Sequence, residues 1–325
     1  MTWSPYYRGD GVARDVVLNA APPWRTFPRA SQHERFQPPE GLPDAVNVAL
    51  HMRRPLLITG PAGSGKSTVI DQVAHELKLG PVLRWHITSR STLPEALYRY
   101  DALGRIYAQN LHAATAGGPA GLGRWRRRRD ASRDDIAPFL QLGPLGTALV
   151  PADLPRALLI DEIDKSDLDL PSDLLEVLER GEFEIPELVR HVLPDVAVRP
   201  WDGGEPVAVR AGRVRCTEFP FIVMTSNDER DFPPAFLRRC IRFEMPKPTP
   251  EMLTAVVQAH LGEAAAGDAA VQELFTQFIG RLENGDKLAI DQLLNATLLL
   301  TGSAPPEQDQ RRRLLDLVLR ELSRA

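Results

Sequence analysis

The run Gly60-Pro61-Ala62-Gly63-Ser64-Gly65-Lys66-Ser67-Thr68 constrains this chain more than any other stretch. It fits the spacing G-x-x-x-x-G-K-[ST] at every fixed position. It lies between a compact apolar run, residues 55–59, and a segment with Val69, Ile70, Val73 and Leu77 at helical spacing. A buried strand running through a glycine-rich loop into a helix is the setting in which such a loop cradles phosphate. Glycines let successive N–H groups point into one concavity. The helix predicted over 66–77 adds the positive end of its dipole. Lys66 offers a point charge to β- and γ-phosphates, and Ser67 a hydroxyl to Mg2+. Only five of the 39 basic residues are lysines, so a chance match to a motif that requires lysine is less frequent here.

Strand-like and helix-like segments then alternate. Residues 82–87, 156–160, 219–226 and 240–245 read as four further strands, and 44–51 and 171–180 as helices. This predicts an α/β fold on a parallel sheet of five strands. Two stretches interrupt the alternation. Residues 98–150, with glycine and alanine around Arg124-Trp-Arg-Arg-Arg-Arg129, are predicted to form an exposed, mobile insert. Residues 182–218 are predicted to form a β-hairpin ahead of the fourth strand. Beyond Pro246-Lys-Pro-Thr-Pro250 the pattern is helical throughout. The expected domains are an irregular arm over 1–42, an α/β core over 43–245 and an all-helical domain over 246–325.

Three more segments carry chemistry. In Arg156-Ala-Leu-Leu-Ile-Asp161-Glu162-Ile-Asp164, a strand delivers two carboxylates to its C-terminal edge, where α/β sheets place ligands. Asp161 would hold Mg2+ through its water shell, and Glu162 would polarise an attacking water. Asp164 reads as a helix cap or surface acid. In Ile222-Val-Met-Thr-Ser-Asn227 a polar amide ends a buried strand. Asn227 is either a turn-former or an amide that senses water or phosphate, and its company favours the second. Arg238 and Arg239 end a short helix before Cys240. They are either solvated cations at a helix C-terminus or arginine fingers reaching a neighbour's γ-phosphate.

Composition limits the alternatives. With 43% apolar and 25% charged residues the chain is neither collagenous nor wholly disordered. A net charge of −4 counts against a dedicated non-specific DNA binder. Two cysteines, Cys216 and Cys240, give no disulfide framework. The opening residues lack the apolar core of a secretory signal. No run of about 18 apolar residues occurs, so no membrane span is expected. The expected compartment is the cytoplasm. His86, on the second strand, reads as a packed or hydrogen-bonded residue, and Trp24, Tyr6 and Tyr7 as anchors of the arm.

Taken together, the phosphate loop, the Asp161-Glu162 pair, Asn227 and the arginine box resemble the AAA+ ATPases over about residues 40–300. The resemblance implies an open parallel sheet with helices on both faces and a small helical lid. It implies ATP and Mg2+ as cofactors and a ring, commonly a hexamer. It makes Asn227 a sensor 1 residue and Arg239, directly before Cys240, the finger, with Arg238 beside it. Lys287 is the candidate sensor 2 residue, or equally a lysine at a helix start. Within AAA+, the two interruptions, the segment Pro138-Phe-Leu-Gln-Leu-Gly-Pro-Leu-Gly146 and the helix from Asp173 to Arg180 resemble the MoxR branch. The chain departs from that branch at Asp164-Lys165, at Asn227-Asp228 and at the double arginine. The branch implies a chaperone-like ATPase acting on a protein partner, often one with a von Willebrand factor A domain. A nucleic-acid motor or loader, or an ATP-gated component of a bacterial defence system, are the alternatives. The arginine insert is either a solvated loop or a cationic surface of a ring.

Overall fold

The computed structural model describes residues 6–26, 36–115, 135–286, 288–302 and 305–320. The stretch 124–129 and Lys287 therefore lie outside the described residues.

A largely irregular arm, with one 3-10 turn at Pro23–Arg25, leads to helix α1, Leu42–Met52. Strand β1, Leu56–Thr59, follows. After the glycine-rich loop the chain makes a 3-10 turn, Lys66–Thr68, before α2, Val69–Glu76. The α-helix thus starts later than predicted. Gly65 sits at φ 84°, and the turn tightens around it before the α-helical geometry begins. Leu77 falls beyond the helix and is exposed.

Next come β2, Leu83–His86, then α3, Leu93–Leu97, and β3, Tyr98–Tyr100. Helix α4 spans Ala102–Thr115. Beyond residue 134 lie β4, Leu140–Leu142, and α5, Pro144–Ala148. Strand β5, Ala157–Asp161, precedes α6, Leu170–Arg180. Then follow β6, Glu182–Glu184, α7, Pro186–Val189, β7, Asp195–Val198, β8, Val207–Arg210, and β9, Arg213–Arg215. The run closes with β10, Phe221–Ser226, α8, Pro234–Leu237, and β11, Ile241–Glu244.

The main sheet has the strand order β11-β1-β10-β5-β2. Phe221 pairs with Ala157 and Leu83 with Leu158, both in parallel register. Ile241 N–H donates to Pro55 O and Met245 N–H to Thr59 O, each step advancing by four residues, so β11 runs parallel to β1. Residues 157–160 of β5 are almost wholly buried, as a strand covered on both faces requires. The predicted α/β parallel sheet is the observed one.

The chain divides into two compact units. One comprises Asp44–Leu57 and Val73–Arg242. Its core corrects the reading of 98–150 as an exposed insert for residues 136–150, while 116–134 lie outside the described residues. Leu140, Leu142, Leu145, Leu149 and Val150 are all in the apolar cluster. Every residue of α5 is buried, and a Cβ at Gly146 would overlap the carbonyl oxygen of Leu97. Close backbone packing of α5 on α3, which only glycine permits, draws this stretch into the core. The 182–218 segment is also larger than a hairpin. It forms a four-stranded antiparallel sheet in the order β6-β9-β8-β7, with Phe183, Val196, Val198, Val209 and Val214 facing the same core.

The other unit comprises Met1–Pro43, Ile58–Gln72 and Phe243–Ala325. Its helices are α9, Pro250–Leu261, α10, Glu263–Ala266, α11, Ala269–Glu283, α12, Ile290–Thr301, and α13, Gln308–Val318. Thr249 caps α9 by accepting from Met252 N–H at 3.3 Å, with Pro250 at the first helical position. Asp268 caps α11 through Ala270 N–H at 2.8 Å. Leu253, Val257, Leu274, Phe275, Phe278 and Leu293 form the core. Trp24 of the arm packs against this cluster and donates its indole N–H to Asn295 Oδ1 at 3.1 Å. Among the described residues, no helix is long and apolar enough to cross a membrane.

Candidate functional site

The phosphate-type loop leaves β1 with three glycines in the left-handed region: Gly60 at φ 135°, Gly63 at 73° and Gly65 at 84°. Each also touches a neighbour that leaves no room for a side chain. A Cβ at Gly60 would meet Met245 Cβ at 2.9 Å, one at Gly63 the Ile290 nitrogen at 2.9 Å, and one at Gly65 the Phe36 ring at 3.0 Å. The loop is therefore bracketed by the arm, by the end of β11 and by the N-terminal turn of α12. Phe36 also accepts, through its carbonyl, from Gln72 Nε2 of α2 at 3.2 Å. Sequence reading missed Phe36 and residues 289–291, because nothing local marks a side chain that meets a loop far away in the chain.

Lys66 is 6% exposed, and its ammonium donates to Gly60 O at 2.7 Å and Pro61 O at 2.8 Å. A buried lysine needs such partners to remain charged. Ser64 Oγ is buried with no hydrogen-bond partner. Among the described residues, the N–H groups of Gly63 and Gly65 likewise have none. Three unmet polar groups around a buried cation match what phosphate oxygens supply. Ser67 and Thr68 lie in the 3-10 turn that follows, both partly buried. Pro61 and Ala62 complete the loop.

In the other unit, Asp161 and Glu162 sit at the C-terminal edge of β5, joined by a residue that the sequence reading passed over. Thr225, 1% exposed on β10, donates its hydroxyl to Asp161 Oδ1 at 2.6 Å and accepts from Glu162 N–H at 2.9 Å. Glu162 adopts φ 59°, a conformation rare for a side-chain-bearing residue, and begins a 3-10 turn over Ile163–Lys165. Its carboxylate accepts from Lys165 Nζ at 2.9 Å. That bond raises the pKa of the Lys165 ammonium above its usual value. Of the two expectations for His86, packed or hydrogen-bonded, the residue at the end of β2 is not packed. It is 63% exposed, with Nε2 at 3.5 Å from Glu162 Oε2 and Nδ1 at 3.8 Å from Asp161 Oδ2.

Asp164 is neither a surface acid nor a helix cap. It is 5% exposed, and its Oδ2 accepts from Asn227 N–H at 2.8 Å and Glu229 N–H at 3.2 Å. Arg230 reinforces the strap by donating to Ser166 O at 2.8 Å. The turn after β5 thus holds the loop after β10, which places Asn227 at the same sheet edge as the acidic pair. Its neighbour Asp228 takes φ 58°.

Arg238 and Arg239 follow α8, which the fully buried Phe236 anchors. Arg239 donates from Nε to Glu179 Oε1 of α6 at 2.7 Å and from Nη1 to Ala235 O at 3.1 Å, yet its side chain stays 42% exposed. Arg238 is exposed, and its carbonyl accepts from Arg54 at 3.1 Å. The Cys240 thiol is buried beneath them and its pKa is pushed up to about 12 by that burial.

A parallel sheet in this order, a glycine-rich loop after β1 and an acidic pair after β5 define an α/β P-loop nucleotide-binding protein of the AAA+ ATPase class. Residues 55–240 match the AAA domain, dynein-related subfamily, and the chain belongs to that family. Among solved structures, the chain is similar to NtrX from Brucella abortus in complex with ADP, at 15% identity and a TM-score of 0.42. That match covers 82% of this chain and 50% of that one. A second structure of the same protein matches at 14% identity and a TM-score of 0.43, covering 84% and 52%. The chain thus spans about half the length of these proteins. No curated protein matches.

Proposed function

We propose that the chain is a Mg2+-dependent ATPase of the MoxR type that assembles into a ring and remodels a protein partner. The observation that carries this reading is the Thr225 bridge. A buried hydroxyl that fixes one carboxylate and the main chain of the next residue pre-sets two acids for separate tasks.

The loop fits a triphosphate in the unmet Ser64 hydroxyl and the free N–H groups of Gly63 and Gly65. Ser67 and Asp161 are hard oxygen donors of the kind Mg2+ takes alongside phosphate oxygens and water. A Mg2+ ion held there would supply positive charge that offsets charge developing on the phosphate. Lys66 brings its ammonium to the β- and γ-phosphate oxygens. Glu162 accepts the proton of the attacking water, while Lys165 and His86 fix where its carboxylate lies. Asn227 orients that water from the loop that Asp164 holds. Arg239 of the adjoining subunit stabilises the developing charge, with Arg238 as a second cation at the same surface. Exchanging the Glu179 partner for phosphate costs little, because that ion pair is half exposed to solvent. The helices over 246–325 act as the lid, with Lys287 as the candidate sensor 2 residue.

Two features support the MoxR type: the antiparallel sheet inserted before β10 and the α5 segment that enters the core. On that reading the favoured partner carries a von Willebrand factor A domain. The test is Glu162→Gln. The variant should bind ATP with Mg2+ yet hydrolyse it at least about a hundredfold more slowly. Brisk hydrolysis by it rejects the role of Glu162. The same ATP-locked variant, used as bait, should retain the protein partner.

A further inference from the structure

Helices α11 and α13 border a cavity of about 540 Å³, with Leu300 of α12 also on its wall. Small-molecule sites span roughly 300–1,000 Å³. Helix α11 lines it with Ala270, Glu273, Leu274 and Gln277, which share one face at spacings of three and four. Helix α13 answers with two rows, Arg311 with Leu315 and Arg312 with Asp316. Burial sorts these residues into an interior and a rim. Leu274 and Leu300 are buried, and Ala270, Arg311 and Leu315 are partly buried. Glu273, Gln277, Arg312 and Asp316 are exposed.

The interior is therefore apolar surface with one charged side chain, Arg311. Its Nε is shut off from solvent and has no hydrogen-bond partner. Arg281, also on α11, shows what the fold does for an arginine that it uses. Its Nε donates to Asp286 at 2.6 Å and its Nη1 to Leu319 O at 2.8 Å. A buried donor left unmet costs the fold free energy and brings it nothing. The rim does not answer it. Glu273 accepts from Gln277 Nε2 at 3.3 Å, and carboxylates in open solvent are screened by water and salt.

We propose that this cavity binds a small aliphatic carboxylate. Its hydrocarbon body lies on Leu274, Leu300 and Leu315, surface that water covers poorly. Once Arg311 turns toward it, its two oxygens accept from Nε and a terminal nitrogen together, the paired geometry that a guanidinium makes with a carboxylate. One guanidinium matches one negative charge, so a singly charged head suits the interior better than a doubly charged phosphate. The cavity shares no residue with the phosphate loop, the acidic pair or the arginine box, so the proposal is tested apart from the nucleotide chemistry.

Ligand-observed NMR titration of the full chain tests it with three probes: hexanoate, hexanamide and acetate. Hexanamide keeps the body without the charge, and acetate keeps the charge without the body. Hexanoate should bind at least about tenfold more tightly than either. Arg311→Met and Arg311→Gln should each erase the preference for hexanoate over hexanamide. Melting followed by circular dichroism separates a ligand-binding arginine from one that serves the fold. Arg311→Met should melt at or above the parent temperature, because methionine removes the unmet donor and keeps apolar volume. Hexanoate should raise the melting temperature of the parent and leave that of Arg311→Met unchanged. Equal affinity for hexanoate and hexanamide overturns the proposal, as does equal affinity for hexanoate and acetate. So does a clear drop in the melting temperature of Arg311→Met, which would assign the side chain to the fold alone.

Discussion

Thr225 occupies a place where valine would fill nearly the same volume, so its hydroxyl is what distinguishes it. That hydroxyl donates to Asp161 and accepts from the Glu162 amide, inside a strand with no access to water. Replacing it with an isosteric methyl leaves a buried N–H without an acceptor, a cost of about 1–3 kcal/mol. It also removes one of the hydrogen bonds that hold the Asp161 carboxylate. Thr225→Val should therefore lower steady-state phosphate release by about ten- to a hundredfold. Thr225→Ser, which keeps the hydroxyl, should restore most of it. Parent-like turnover in the valine variant would show that the bridge does not organise the acids. Gly63 makes a comparable case within the loop. The motif leaves that position open, yet Gly63 sits at φ 73° with the Ile290 nitrogen 2.9 Å from where a Cβ would be. Gly63→Ala should weaken ATP binding, measured by titration with a fluorescent nucleotide, and destabilise the fold by about 1–3 kcal/mol.

At the scale of elements, the sequence was most readable where one force acts alone. Strands β1, β5 and β10 each open on a continuous apolar run because both their faces are covered, and those runs stand out without any structural knowledge. The loop and the acidic pair were legible for a related reason. Their chemistry demands particular residue types at the ends of those strands. Legibility failed where tertiary packing decides. Residues 136–150 enter the core because Gly146 lets α5 lie on the Leu97 carbonyl, a contact that no local period announces. The four-stranded sheet showed only one hairpin in the sequence, since β6 and β9 are each three residues long. Asp164 reads as a helix cap or surface acid because its partners, the amides of Asn227 and Glu229, arrive from a loop more than sixty residues away.

For the whole molecule, the arginine box carries the most testable consequence of the proposed assembly. Arg239 is half exposed and bound to Glu179 within its own chain, so nothing in a single copy requires it for nucleotide binding. Arg239→Ala should leave ATP affinity unchanged while removing the rise in specific activity with protein concentration that a shared site produces. Loss of ATP binding in that variant would place the guanidinium in its own subunit's site instead. Trp24 has a consequence of another kind. Its indole lies on the helices of the C-terminal half, bonded to Asn295 and edge-on to His260 with ring centres 6.4 Å apart. The protein thus carries a native optical gauge. In a variant that keeps Trp24 alone of the five tryptophans, any motion or melting of α9 or α12 that wets this indole shifts its emission to the red, so those helices can be followed in real time without attaching a dye.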